Sequence, residues 1–257
     1  MDIKVKARVV ALLGAGLLVT STMALASKPA GITERDMALL PRFCPDTMGF
    51  NYGDASSNTS PNARMWVEMM GRDFWHVHHY CWALINIHRS ERAAVPAELK
   101  QAQREEAFGD LNYVVQNTQP NFILLPEIFT WMGRLSILLR NDSAAGQAFA
   151  KARALKPDYW PAYTNWAEAL AARGAKAEAL AIVRSGLQYA PNARSLRDLY
   201  ARLGGKPADI PPPIVKKEPE TEAAEQAPAA ELAPSTPVTA PAAPAASDPA
   251  APAPTTK

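Results

Sequence analysis

Pro157 and Pro191 stand 34 residues apart, and similar wording surrounds them: Ala-Leu-Lys-Pro-Asp over 154–158 and Gln-Tyr-Ala-Pro-Asn over 188–192. A period of this length is the mark of a chain built from stacked units. Each prolyl bond disfavours the helical region for the residue before it, so each proline reads as the stop of a helix. A single hairpin of two helices cannot bury its own apolar face, and its neighbours must cover it.

The residues between the prolines carry a second signal. In the unit 126–159 they are Phe129, Met132, Gly133, Ser136, Ala145, Phe149, Ala152 and Pro157. In the unit 160–193 they are Tyr163, Trp166, Ala167, Leu170, Ala179, Val183, Gly186 and Pro191, with Gly174 at the turn between helices. This resembles the tetratricopeptide repeat, whose pattern is W-x2-L-G-x2-Y, then A-x3-F, then P, over 34 residues. Ser136, Leu170, Val183 and Gly186 depart from the pattern as ordinary drift. The resemblance implies an all-α, right-handed helical-hairpin solenoid. It also implies a partner-binding groove lined by Glu127, Thr130, Arg134, Leu138, Thr164, Asn165, Glu168 and Ala172. Family members that clamp a free C-terminal carboxylate carry Lys and Asn at matching places, and Thr130 and Arg134 depart from that set.

The array needs ends. Over 194–205, Leu196, Leu199, Tyr200 and Leu203 form one apolar stripe at helical spacing, with Arg194, Arg197, Asp198 and Arg202 opposite, before Gly204-Gly205. That pattern predicts a capping helix. In front, 27–125 reads as an irregular segment followed by a helical hairpin, a degenerate repeat. Ser60-Pro61 predicts an N-cap with a first-turn proline. The helix it opens stops at Gly71, and Asp73 is read as the cap of the next, from Phe74 to Glu91. A third helix is expected from about Pro96 to Asn117, burying Phe108, Leu111, Val114 and Val115. The stretch Cys44 to Asn58, with Pro45, Gly49 and Gly53, reads as irregular.

The two termini differ from this core. Lys4, Lys6 and Arg8 precede an apolar run from Val9 to Val19 and then Ala24-Leu25-Ala26. A basic start, a short apolar core and an A-x-A site predict a signal peptide over 1–26 and export, with the periplasm as the expected destination. No membrane span is expected after its cleavage. The last 47 residues hold 12 of the 23 prolines and few large apolar side chains. A disordered Pro/Ala-rich tail is expected over 206–257, because such a segment cannot offset the entropy of ordering it. It reads first as a passive spacer, with a tether as the alternative. Residues 1–26 carry three bases and one acid, and 211–257 three bases and six acids, so 27–210 holds +3 of a whole-chain +2. That is too weak a charge to mark a nucleic-acid partner.

Cys44 and Cys81 are the chain's two cysteines. An even count in an oxidising compartment favours a bridge over two buried thiols. All four histidines lie between His76 and His88. His76 and His79 are three apart on the expected helix and can face one metal ion, with His78 nearby. The same residues also read as plain packing or as a pH-sensitive face. The sequence holds no H-E-x-x-H, C-x-x-C or phosphate-binding glycine loop. The expectation is therefore a non-enzymatic exported scaffold or adapter, without a cofactor, that binds a protein or peptide in envelope assembly or secretion. Oligomeric state is left open. The alternative is a metal- or cofactor-binding envelope protein using the helix 75–88, and a third reading is a spacer whose tail is the working part.

Overall fold

A computed structural model describes residues 28–50 and 60–214. The expected signal peptide and the tail beyond Ile214 lie outside the described residues. Among the described residues the secondary structure is helical throughout, so the chain is all-α. The helices are α1 (Glu34–Met37), α2 (Ala63–Met70), α3 (Val77–Ser90), α4 (Ala97–Asn117), α5 (Leu125–Leu138), α6 (Asp142–Leu155), α7 (Trp160–Ala172), α8 (Lys176–Tyr189) and α9 (Arg194–Arg202). None of them is long and apolar enough to cross a membrane.

Three hairpins, α3–α4, α5–α6 and α7–α8, stack in chain order, and α9 closes the row against α7 and α8. Pro126 and Pro161 each sit in the first turn of their helix, where a fixed φ is pre-organised and the missing N–H is not needed. The two turns match residue for residue. Asn141 N donates to Ser136 O at 2.8 Å, and Ala175 N to Leu170 O at 3.0 Å. Each turn passes through a left-handed residue, Arg140 at φ 60° in one and Gly174 at φ 82° in the other. These are the bonds of a Schellman-type stop, repeated at the sequence period.

Two apolar clusters hold the stack. One joins α3, α4 and α5 through Phe74, Tyr80, Leu111, Ile128 and Leu135. The other joins α6 to α9 through Phe149, Trp166, Leu187, Leu196 and Tyr200. Within the second, Gly186 is not drift. A β-carbon there would meet the Tyr163 ring at 2.8 Å, so glycine is what lets α7 and α8 close.

The front half is tied by polar hubs. Asp46 accepts from Ser60 Oγ at 2.6 Å and from Trp66 Nε1 at 2.8 Å. Ser60 therefore anchors the irregular segment rather than capping α2, whose N-cap is Asn62. Asp73 is not a helix cap either: its Oδ2 accepts from Gln119 N, and a 3₁₀ turn over Arg72–His76 delays α3 to Val77. Thr33 and Asp36 form a capping box on α1, and Asp36 also pairs with Arg89 and Arg92. Cys44 and Cys81 are disulfide-bonded, with both residues fully buried. The bridge fits a compartment more oxidising than the cytosol, and closing its loop is worth ~3–4 kcal/mol in the chain-entropy model.

At the far end the fold runs past the expected tail boundary. Residues 206–214 return along the array: Pro207–Asp209 make a 3₁₀ turn, Ile210 packs on the second cluster, and Ile214 N donates to Gln188 O at 2.8 Å. Composition marks Pro211–Pro213 as unable to form a core of their own, yet they need only lie on one that exists.

Candidate functional site

Two places in the sequence carried functional expectations. On α3, His78 and His79 are 7 % and 8 % exposed. His79 Nδ1 lies 2.6 Å from Asp110 Oδ1 on α4, and His78 Nδ1 lies 2.9 Å from Trp75 O. Their ring centroids are 4.4 Å apart. Trp82 meets both edge-on at 4.8 Å, and Tyr113 lies over His79 at 3.8 Å. Burial, followed by the neighbouring His79 charge, pulls the His78 imidazole down to about 4. Burial pushes the Asp110 carboxyl up, against the pull of His79.

The expected pairing of His76 with His79 is not what the fold assembles. His76 Nδ1 turns to the Tyr113 hydroxyl at 3.4 Å, and His79 pairs with His78 and Asp110 instead. Cys81 is taken by the disulfide. His88 stands at the far end of α3 against Trp131. Among the described residues no group of three or more His, Cys, Asp or Glu side chains is placed to hold a metal ion. The pairs His79–Asp110 and His76–Tyr113 join α3 to α4 beside their shared apolar cluster. Asn86 Nδ2, Gln103 Oε1, Trp82 Nε1 and Asp110 Oδ2 are buried without hydrogen-bond partners.

The expected groove residues divide into two sets. Four are committed internally. Glu127 accepts from Tyr80 Oη at 2.6 Å. Thr130 is buried and donates to Pro126 O at 2.8 Å, while Thr164 and Asn165 both donate to Pro161 O. The other four face outward. Arg134 pairs with Glu91 at 3.2 Å and lies 4.1 Å over the Trp131 ring; Glu168 pairs with Arg202 at 3.1 Å; Leu138 and Ala172 are exposed.

Between α7 and α9 lies an open cleft of about 550 Å³, lined by Trp160, Thr164, Glu168, Ser195, Asp198 and Arg202. Trp160 is 40 % exposed. Trp160, Asp110 and Trp131 stand outside the expected site residues. An aromatic at a repeat boundary and a carboxylate inside the apolar stripe of α4 were the available signals. No protein-family model matches the chain, and no curated protein or solved structure matches it.

Proposed function

We propose that the chain is an exported scaffold of tetratricopeptide type, and that it holds an extended peptide segment of a partner protein in the α7–α9 cleft. The observation that carries this reading is Trp160. A tryptophan left 40 % exposed at the rim of an open cleft is an anchor without a visible internal purpose. Large aromatic anchors in such places dominate binding energy at interfaces. The ligand that fits is a peptide with a large apolar side chain to lie on the indole. Its backbone would meet Ser195, and its charges the Glu168–Arg202 pair and Asp198. The disulfide and the helical stack support an exported, non-enzymatic role.

Selection from a random peptide display library tests the reading. Enriched peptides are expected to share a large apolar residue and to lose about 30-fold or more in affinity on Trp160→Ala. Glu127→Gln is expected to leave that affinity unchanged, because Glu127 is engaged by Tyr80. Enrichment of peptides insensitive to Trp160→Ala contradicts the proposal, and so does no enrichment at all.

A further inference from the structure

The geometry points to a two-imidazole cation site on α3, in which His78 Nε2 and His79 Nε2 are the protein's donors to a first-row divalent ion, with Cu2+ the best fit. It goes beyond the docking reading and rests on a different helix.

The argument starts from the other nitrogen of each ring. Trp75 O is a carbonyl and only accepts, so His78 Nδ1 carries the proton in the 2.9 Å bond between them. The Asp110 carboxylate likewise accepts from His79 Nδ1 at 2.6 Å. In the neutral form of each ring this fixes the tautomer that leaves Nε2 with a bare lone pair. Histidines that ligate metals show this arrangement, the second N–H being given to a backbone carbonyl or a carboxylate. Here the two forms occur side by side. Among the described residues neither Nε2 has a hydrogen-bond partner, and neither is among the atoms sealed from solvent without one. A histidine kept only for packing is more economically satisfied at both nitrogens.

The rings are also held. Trp82 braces both edges, and Tyr113 covers the His79 face. The ring centroids are 4.4 Å apart, and an imidazole-bound ion stands about 2.0–2.1 Å from its nitrogen. Asp110 supplies an independent reason. Its carboxylate is fully buried, Oδ2 has no partner, and the His79 N–H alone answers its charge. A dication on the far nitrogen of the same ring provides the positive charge that this buried carboxylate otherwise lacks. Imidazole donors suit Cu, Zn, Ni and Fe, and the affinity order for a given site peaks at Cu2+. With no third side chain in place, the remaining positions are left to water or to a donor from outside the chain. Asp110 is a positioning residue here, since it acts through His79.

Cu2+ titration of the untagged, metal-free protein against a competing chelator tests the site. One equivalent is expected to bind, more tightly than Zn2+, and pulsed EPR of the copper complex is expected to show two equatorial imidazoles. Asp110→Asn is expected to weaken binding about 10–100-fold, and His78→Gln and His79→Gln are expected to remove an imidazole each from the spectrum. His76→Gln and His88→Gln are expected to change neither. The wild-type spectrum decides the question even where a variant fails to fold. A spectrum without two imidazoles overturns the site. So does binding that is unaltered in folded Asp110→Asn protein, or lost in His76→Gln.

Discussion

The edge of the Phe149 ring occupies the place of the β-carbon that Gly133 lacks: a β-carbon there would lie 2.7 Å from Phe149 Cζ. Phe149 cannot swing aside, because it is fully buried and stacked on Trp166 at 5.6 Å. One period later the same two positions are Ala167 and Val183, and the close approach is instead between Tyr163 and Gly186, where the first hairpin has Phe129 and Ala152.

Gly133→Ala tests the contact with Phe149. Helix propensity alone favours alanine by about 1 kcal/mol, while overpacking costs about 1–3 kcal/mol. The expected net is a loss of up to about 2 kcal/mol in urea unfolding. Adding Phe149→Val, which copies the second hairpin, is expected to be non-additive, with a favourable coupling of about 1 kcal/mol or more. Simple additivity contradicts the account.

Arg140 holds the left-handed turn that Gly174 holds in the next hairpin, at φ 60° against 82°. A side chain pays a steric cost there of about 1–2 kcal/mol that glycine avoids, less the entropy glycine loses on folding. Arg140→Gly is therefore expected to raise stability by about 0.5–1 kcal/mol, read from the urea midpoint. A lowered midpoint contradicts the shared-turn reading.

Asp36 ties α1 to α3. Burial pushes its carboxyl up, but hydrogen bonds from Arg89, Thr33 and Arg92 outweigh that and hold it well below the usual carboxylate range. A folded pKa below the unfolded one adds stability that is complete above about pH 4 and is lost as pH falls toward the folded value. The stability gap between the wild type and Asp36→Asn is expected to be constant from pH 7 to about 5 and to shrink steadily below about 4. A gap that stays constant down to pH 2 contradicts this.

These relationships differ in how far they are legible in the sequence. Pro157, Pro191 and Gly174 act on their own backbone, so the helix stops and the turn can be read directly, and the capping stripe Leu196, Leu199, Tyr200 and Leu203 is buried as its spacing requires. The Cys44–Cys81 bridge follows from compartment and count. What depends on side chains meeting across the fold is hidden. Asp110 sits in the buried stripe of α4 and finds its partner 31 positions away. Ser60 looks like a helix cap by local rules, but Asp46 claims its hydroxyl. Thr130 and Thr164 fall at groove positions by register, yet both hydroxyls turn back onto their own helices. Of the positions expected to line a groove, Arg134, Leu138, Glu168 and Ala172 are left unburied.

The proposed occupancy of the α7–α9 cleft by a partner segment is open to site-specific photo-crosslinking in the cells that make the protein. A benzophenone side chain at position 160 is compared with one at Lys151, an exposed residue on α6. The account predicts one discrete crosslinked polypeptide from position 160, mapped by mass spectrometry to an extended stretch with a large apolar residue, and none from position 151. Equal crosslinking from both positions, or none from position 160, would contradict it.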